Sequence, residues 1–290
     1  SSAASDVYKR QTIKSGSIVS PELPIEFINT GELDIKTTYV LPVTIKSVEG
    51  IGVLQSAKTY YYVFRGASLI NVVCNISRNR AYPDFKNDSK FNNLTENTME
   101  ILFKANSFPN TLNTLMGIES NYLLRIGDAT IPNNQLQVAT SVNNCTSADL
   151  QLESGKWYHV AVAFNKGNVK VYINGVEKLS GSTGKSSVSL GAKHTNEEDG
   201  SRCFWVGYSY KDDRYFDGVV SEVRIWNRAL TAEEIQATNH FYTIEPESEG
   251  LIAYWKFDEG SGTVAKDYSV SGYDLTIEKE PKWESVSLPQ

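Results

Sequence analysis

The sequence of 290 residues is poor in cysteine and has no spacing that would hold zinc or build a set of disulfides. Its three cysteines, Cys74, Cys145 and Cys203, form no C-x-x-C pair, and an odd number leaves at least one thiol unpaired. A disulfide-stabilised scaffold is therefore excluded, and a zinc module is not expected. A Cys145–Cys203 bond is an open alternative, but we expect three buried free thiols.

The chain also lacks the hydropathy and charge patterns of several protein classes. No apolar run reaches the length of about 18 residues that a membrane-spanning helix needs, so no membrane span is predicted. Lysine and arginine form no block, and the net charge of −6 argues against nucleic acid or an anionic membrane as a partner. Residues 1–11 lack the apolar core of a signal peptide, and we interpret them as a disordered or trimmed end.

Common catalytic signatures are absent as well. The sequence contains no G-x-S-x-G or H-E-x-x-H motif, and its three histidines, His159, His194 and His240, are scattered. Glycoside hydrolysis needs two carboxyl groups on either side of the scissile bond. Glu222 stands alone in VVSEVRIW, where we expect it to be a structural partner of Arg224 or of neighbouring backbone. The sequence therefore favours a protein without enzymatic activity.

The sequence is rich in aromatic residues and in alternating apolar residues. Aromatics make up 11% of the chain, with 16 Tyr and 5 Trp, which suits a β-sandwich or a protein that stacks on sugars. In residues 152–179, every second residue from Val160 to Phe164 and from Val169 to Ile173 is apolar. The tight turns NKGN at 165–168 and NG at 174–175 reverse the chain. A strand pair with one apolar face needs a second sheet to cover it.

Beyond residue 91, short predicted strands joined by turns recur about every ten residues, a spacing typical of a sandwich or jelly roll. Glu100 is expected to face away from Met99 and Ile101. One face of the strand at 219–226 is expected to carry Val220, Glu222, Arg224 and Trp226. Residues 69–85 are interpreted as a crossover. Thr231 and Glu234 have the spacing of a capping box, which predicts a short helix that ends near residue 239. Further strands are predicted at residues 98–105, 115–118, 122–126, 136–140, 187–190, 203–208 and 219–226.

Two of these runs carry a family resemblance. GKWYHVAVAF with KVYINGV, within 155–176, and FDGVVSEVRIWNRALTAEEI at 216–235 resemble the laminin-G-like branch of the concanavalin A-like lectin and glucanase superfamily. This resemblance implies an all-β fold in which residues 71–290 form a jelly-roll sandwich. Glucanases of this superfamily commonly carry E-x-D-x-x-E on one strand, a pattern that this sequence lacks. We therefore expect non-catalytic binding of a polysaccharide or host glycan. A protein-adhesion or structural module and a glycoside hydrolase are the alternatives.

Residues 12–70 have strand patterns of their own, at 25–28, 39–45 and 59–64. TTYVLPVTIKSVEG and KTYYYVF resemble a small Ig-like β-sandwich domain found at the front of many surface lipoproteins of glycan-degrading gut bacteria. The resemblance implies a spacer domain with a lipid anchor upstream, at the bacterial outer-membrane surface or in the periplasm, within a polysaccharide-utilisation system. The alternative is a strand pair integral to the larger domain. We expect the protein to be a monomer.

The C-terminal segment LIAYWKFDEGSGTVAKDYSVSGYDLTI, residues 251–277, resembles the segment that usually opens a module of this family. Here it closes one instead. We therefore predict a circularly permuted sandwich, in which residues 251–257 and 283–286 pair beside the 91–103 region. A truncated second module is less favoured, because so short a segment cannot bury a core alone.

The 208–217 loop is the candidate sugar-binding segment. Aromatic faces stack on the C–H faces of pyranose rings, and carboxylate and guanidinium groups hydrogen-bond to hydroxyls. The loop residues of this kind are Tyr208, Tyr210, Asp213, Arg214 and Tyr215, and Tyr122 and Asn143 are predicted contributors from facing loops. The alternative is that these aromatics fill the core and that the charges lie at a solvated hairpin tip.

A second candidate site is the turn that contains Asp267, Ser269, Gly272 and Asp274. Carboxylate oxygens around a glycine turn are ligands that Ca²⁺ accepts, and similar modules often hold calcium at this turn. We therefore predict a calcium site there. Ordinary turn chemistry, with aspartate capping backbone N–H groups, is the alternative.

Overall fold

The computed structural model describes residues 11–22, 33, 37–64, 68–195 and 202–289. The chain divides into two compact units, Ser1–Ala67 and Ser68–Gln290. In the first unit, β1 (Tyr39–Thr44) pairs antiparallel with β2 (Thr59–Phe64). The predicted strand at 25–28 lies outside the described residues. The hairpin agrees with two of the three strands predicted there, and a complete Ig-like sandwich stays a prediction.

The described residues of the second unit form an all-β sandwich of two eight-stranded sheets. Sheet 1 has the order β12-β11-β10-β5-β14-β3-β18, with β15 also paired to β14, and sheet 2 has the order β16-β17-β4-β13-β6-β7-β8-β9. The elements are β3 (Ile70–Asn75), β4 (Ala81–Pro83), β5 (Glu96–Ala105), β6 (Asn113–Ile118), β7 (Tyr122–Asp128), β8 (Ile131–Thr140), β9 (Cys145–Gln151), β10 (Trp157–Asn165), β11 (Asn168–Ile173), β12 (Val176–Ser182), β13 (Trp205–Val206), β14 (Gly218–Trp226), α1 (Ala232–Ile235), β15 (Leu251–Trp255), β16 (Val264–Ala265), β17 (Leu275–Ile277) and β18 (Lys282–Leu288).

The main core lies between the two sheets, as the period-two pattern predicts. Val160, Val162 and Phe164 of β10 are buried in the same cluster as Leu124 and Ile126 of β7. Each large apolar side chain buried in this way contributes about 1.5–3 kcal/mol relative to an exposed one. Together these contacts hold sheet 2 against sheet 1.

Two tight turns order the β10–β11–β12 meander. Lys166 and Gly167 have φ of 46° and 95°, and Asn174 and Gly175 have φ of 50° and 77°. Positive φ at both central residues is the signature of the type I′ hairpin turn. At Gly167 an added Cβ would lie 2.5 Å from the carbonyl oxygen of Lys185, so space as well as φ requires glycine there.

The C-terminal segment completes the sandwich, as predicted, but its strands have different neighbours. β15 pairs with β14, β18 pairs with β3, and β17 pairs with β4 of sheet 2. β14 lies between these strands and β5. The prediction that residues 251–257 and 283–286 pair beside the 91–103 region is therefore wrong, because β14 lies between them and β5. The strands β15 and β18 do belong to the same sheet as β5.

β14 contains a bulge that changes both its neighbours and its faces. One edge pairs with β5, and the other pairs first with β3 at Val219 and Val220 and then with β15 from Val223 onward. Glu222 lies within the bulge with φ of 49°. Val220 and Val223 both face the main core, whereas Trp226 packs in a second cluster with Tyr254. The prediction that Val220 shares a face with Arg224 and Trp226 is wrong, because a bulge residue breaks strict alternation.

Several local predictions also need correction. Residues 69–85 contain two strands, β3 and β4, rather than a bare crossover, and the predicted strand at 187–190 is a single bridge between Val188 and Leu94. The strand predicted at 203–208 is limited to Trp205 and Val206. The capping box at Thr231 is present, but α1 ends at Ile235.

The prediction of three buried free thiols is confirmed, since Cys74, Cys145 and Cys203 are free and buried. Within the described ranges, no helix has the length and apolar character needed to cross a membrane.

Candidate functional site

Four aromatic side chains cluster on the outer side of sheet 2, and we call Tyr82, Trp205, Tyr208 and Tyr215 the aromatic patch. Ala81 and Val206 face the main core, so their neighbours Tyr82 and Trp205 point the other way. Ring centroids are 5.3 Å apart for Tyr82 and Trp205, 5.2 Å for Trp205 and Tyr208, and 4.9 Å for Tyr208 and Tyr215. Trp205 and Tyr208 are only 4% and 3% exposed, whereas Tyr82 and Tyr215 are half-buried. Two rings thus form a base, and two reach the surface.

Arg80 packs against the two buried rings of the aromatic patch, Trp205 and Tyr208. Its guanidinium carbon lies 4.8 Å from the ring centroid of Trp205 and 4.5 Å from that of Tyr208. Two hydrogen bonds of 2.8 and 2.7 Å join the same group to the carboxylate of Glu278. A guanidinium held by a bidentate carboxylate and stacked on two rings fixes the position of those rings. Burial raises the pKa of Tyr215 to about 12, so its hydroxyl stays protonated at neutral pH.

The 208–217 loop borders the patch. Arg214 forms an ion pair of 2.9 Å with Glu119, and its guanidinium lies 5.3 Å from the ring of Tyr210. Asp213 projects from the loop with 78% of its side chain exposed. At the end of the loop, the carboxylate of Asp217 accepts hydrogen bonds from Ser77, Asn106 and Ser107. The end of the loop is therefore anchored to its surroundings, while Asp213 is open to solvent.

The predicted sugar-binding residues are distributed unevenly around the patch. Tyr208 is part of the buried base, Tyr210, Arg214 and Tyr215 are half-buried, and Asp213 is exposed. Their role in sugar binding stays a prediction.

The two predicted contributors from other loops lie elsewhere. Tyr122 is 0% exposed and packs in the main core, with its ring 5.9 Å from that of Phe164. It is therefore corrected from a sugar contact to a core residue, because the alternation of β7 turns it inward. Asn143 is exposed, and its Nδ2 donates to the carbonyl oxygen of Ser182 on β12.

The sequence predictions missed much of the patch. Tyr82, Trp205, Arg80 and Glu119 were not among the candidates, nor was His194, whose ring stacks on Tyr82 at 3.4 Å between centroids. Arg80 and Tyr82 flank Ala81 in RAYP, but this run is too short for alternation to predict a strand.

The predicted calcium turn is held together by its own backbone. Oδ1 of Asp267 accepts hydrogen bonds from the N–H groups of Tyr254 and Ser269, and Oδ2 accepts from that of Tyr273. Oδ1 of Asp274 accepts from the N–H of Asp267, and Oδ2 lies 3.1 Å from Nζ of Lys266. Ser269 Oγ accepts from the N–H of Ser271, and Gly272 has φ of 69°. These contacts match the turn-capping alternative, and calcium binding stays a prediction.

A polar cavity of about 220 Å³ lies where β3 and β15 diverge along β14. Glu222, Lys256 and Asp258 are among the residues that line it. Oε2 of Glu222 accepts a hydrogen bond of 2.6 Å from the hydroxyl of Tyr254 and forms an ion pair with Arg224, which confirms the predicted Glu222–Arg224 partnership. Burial raises the pKa of Glu222, against the opposing charge of Arg224. The fold thus brings two carboxylates to one cavity, although no sequence motif predicts the pair.

Two of the scattered histidines also meet in the fold. His159 of β10 and His240, which follows α1, both approach Oε1 of Glu100 on β5. Their nitrogen atoms and the carboxylate oxygen are the kinds of atom that bind transition metals, and they lie within 4.8 Å of one another. The sequence does not reveal this cluster, because the three residues are far apart along the chain.

Comparison with known proteins identifies relatives of this sandwich. The family model described as concanavalin A-like lectin/glucanases superfamily matches residues 79–236. Among curated proteins, none matches the chain. A protein from Bacteroides ovatus ATCC 8483 that is proposed to bind carbohydrate has a TM-score of 0.64 and 26% identity, over 88% of this chain and 70% of that chain.

Two more solved structures show weaker similarity. Domain 4 of AbnA, a GH43 extracellular arabinanase from Geobacillus stearothermophilus in complex with arabinotriose, has a TM-score of 0.43 and 19% identity, over 71% of this chain and 88% of that chain. A mutant of NanB sialidase from Streptococcus pneumoniae has a TM-score of 0.41 and 15% identity, over 59% of this chain and 28% of that chain.

Proposed function

The chain belongs to the concanavalin A-like lectin/glucanases superfamily, and from this premise we propose that it binds carbohydrate, without cleaving it, at the aromatic patch. The observation that carries the proposal is the pair of half-buried rings, Tyr82 and Tyr215, supported from below by Trp205 and Tyr208. The similarity to the Bacteroides ovatus protein supports the same class of ligand.

The patch has the chemistry that a sugar ring requires. A pyranose presents an apolar C–H face, which stacks on an aromatic ring, and a rim of hydroxyls, which needs charged or polar partners. Tyr215 and the stacked rings of Tyr82 and His194 supply the aromatic surface, and Asp213 and Arg214 supply a carboxylate and a guanidinium beside it. Because Arg80 holds the base rigid through Glu278, little side-chain freedom is lost when a ligand binds.

The wider setting of the protein follows from its family resemblance and is part of the proposal. We place it outside the cytoplasm, at the bacterial outer-membrane surface or in the periplasm, as a monomeric surface lipoprotein that captures polysaccharide for uptake. Calcium at the Asp267 turn is a subsidiary proposal, tested by whether binding and melting temperature change on addition of chelator.

A glycan and polysaccharide screen tests the proposed function. The full chain is assayed with plant polysaccharides and host mucins, with calcium and with chelator, and affinity for any hit is then measured for Tyr82→Ala and Tyr215→Ala. Loss of one stacking ring is expected to weaken binding by about 10-fold. Tyr61→Ala is the matched control, because Tyr61 is 61% exposed in the other unit of the chain.

Two results would reject the proposal. Absence of binding across the whole panel would reject carbohydrate as the ligand. Unchanged affinity in both Tyr82→Ala and Tyr215→Ala would reject the aromatic patch as the site.

A glycoside hydrolase is the second candidate, favoured by the placement of Glu222 and Asp258 at one cavity. A buried carboxyl with a raised pKa is the form of acid that protonates a leaving oxygen. If the protein is a glycoside hydrolase, reducing ends should be released from a bound polysaccharide. The Glu222→Gln variant should not release them. Binding without any release of reducing ends would favour the non-catalytic function.

A further inference from the structure

Three metal-ligating side chains from distant parts of the chain meet in sheet 1, and we call Glu100, His159 and His240 the His–Glu cluster. Nε2 of His240 lies 2.6 Å from Oε1 of Glu100, and Nε2 of His159 lies 3.3 Å from the same oxygen. Glu100 and His159 are 0% exposed, and His240 is 8% exposed. One carboxylate oxygen thus faces two imidazole nitrogens in a site almost closed to water.

The other oxygen of Glu100 is already oriented by its neighbours. Nε1 of Trp226 donates to Oε2 at 2.7 Å, and Nη1 of Arg224 lies 3.7 Å from it. Arg224 is itself held by Glu222 and by the carbonyl oxygen of His240. Partners of this kind fix a ligating carboxylate in metal sites, and they leave Oε1 as the oxygen available to a cation.

His159 points to a missing ligand. Among the described residues, Nδ1 of this buried ring has no hydrogen-bond partner, and Nε2 faces Oε1 of Glu100 at 3.3 Å without the geometry of a hydrogen bond. A buried polar group without a partner is rare in folded proteins, because its desolvation is not compensated. A metal ion between Nε2 and Oε1 would give this nitrogen a bond in place of the 3.3 Å contact.

The distances suit a small transition-metal ion. With metal–nitrogen and metal–oxygen bonds near 2.0–2.2 Å, tetrahedral ligand atoms lie about 3.3–3.6 Å apart. The 3.3 Å between His159 and Glu100 matches this, and the 2.6 Å between His240 and Glu100 needs to lengthen by at most about 1 Å. The two imidazole nitrogens lie within 4.8 Å of one another, so they need to approach by at most about 1.5 Å. Two imidazoles and one carboxylate form a ligand set used for zinc.

We propose that the His–Glu cluster is a binding site for one divalent transition-metal ion, with Zn²⁺ as its best match. The ion would join β5, β10 and the segment after α1, and so fasten that segment to the outer side of sheet 1. This site is separate from the aromatic patch, and its occupancy does not depend on carbohydrate binding.

Metal titration of the full chain tests the proposal. Protein stripped with chelator is titrated with Zn²⁺ by calorimetry and thermal melting, and with Co²⁺ by visible absorption, which reports nitrogen coordination directly. We expect one ion per chain and a higher melting temperature with zinc, because binding to the native state alone stabilises it. His159→Gln and His240→Gln are each expected to weaken binding by at least about 100-fold.

The remaining histidine gives a matched control. His194→Gln should bind zinc as the unmodified protein does, since His194 lies near Cys203, with Nδ1 3.4 Å from Sγ, and not in the cluster. Loss of binding in His194→Gln with retention in the other two variants would overturn the proposal. Absence of a cobalt absorption band in the unmodified protein would overturn the proposal as well. This result does not depend on whether a variant folds.

Discussion

The indole Nε1 of Trp226 donates a hydrogen bond of 2.7 Å to Oε2 of Glu100, and both side chains are buried. Trp226→Phe removes this donor and leaves a buried carboxylate with weaker support. A hydrogen bond to a charged group contributes about 1.5–3 kcal/mol, so we expect a loss of stability of that size. The measurement is the free energy of unfolding in urea, followed by circular dichroism.

Trp283→Phe is the control for this substitution. Trp283 is half-buried, and within the part of the chain that the structure describes its Nε1 donates to no acceptor. Its replacement should therefore cost clearly less than that of Trp226. Equal losses in the two variants would mean that the Trp226–Glu100 bond adds nothing beyond aromatic packing.

The turn glycines Gly167 and Gly155 make a second matched pair. Both have positive φ, 95° and 77°, but a Cβ at Gly167 would meet the Lys185 carbonyl at 2.5 Å, whereas one at Gly155 meets no described atom within 4 Å. Gly155→Ala should cost about 1–2 kcal/mol from backbone strain alone. Gly167→Ala should cost about 2–4 kcal/mol, because the hairpin must also shift. Similar melting temperatures for the two variants would contradict this explanation.

Asp217 should make the stability depend on acid pH. Burial raises its pKa, but hydrogen bonds from Ser107, Ser77 and Asn106 outweigh burial and hold the pKa below its usual value. A lowered folded-state pKa stabilises the fold above the unfolded pKa, about 3.9 for aspartate, and the contribution is lost as pH falls through the folded value. The loss of unfolding free energy in Asp217→Asn, relative to the unmodified protein, should therefore be constant near neutral pH and shrink below about pH 4.

The measurement is the free energy of unfolding of the unmodified protein and of Asp217→Asn at a series of pH values from neutral to acid. Asp213→Asn, at an exposed carboxylate, is the control and should show almost no deficit at any pH. A deficit in Asp217→Asn that persists unchanged to low pH would show that the charge of Asp217 plays no part.

The three thiols should be unreactive in the native protein. Cys74, Cys145 and Cys203 are at most 5% exposed, and burial raises the pKa of each. Because the thiolate is the reactive form, a thiol reagent should label none of them rapidly at neutral pH. In denaturant, all three should react without prior reduction. A count of one thiol per denatured chain would instead indicate a disulfide between two of them.

Local features of the chain were predictable because their causes are local. The NKGN and NG turns need residues that reach positive φ cheaply, and the β10–β11 hairpin follows from alternation between them. The capping box of Thr231 and Glu234 depends on atoms three residues apart. The end of α1 was not predicted, because helix ends depend on what packs against them.

The candidate sites were predicted only in part. Alternation on β7 places Tyr122 in the core, but the sequence does not say which face of a strand the second sheet covers. Tyr208 was predicted to contact sugar, with a place in the core as the alternative, and its ring is buried against Tyr215 and Arg80. The missed members of the aromatic patch lie on β4 and β13, strands of three and two residues that are too short for a periodic signal.

The sequence alone was therefore enough to predict the all-β class, the central hairpins, the free thiols and the Glu222–Arg224 partnership. These features depend on composition or on residues that are near neighbours in the chain. Packing of distant strands decided the rest. The bulge at Glu222, the aromatic patch and the meeting of Glu100 with His159 and His240 all depend on which strands pair and in what register. Those pairings minimise exposed apolar area over the whole sandwich, a quantity that no short window of residues contains.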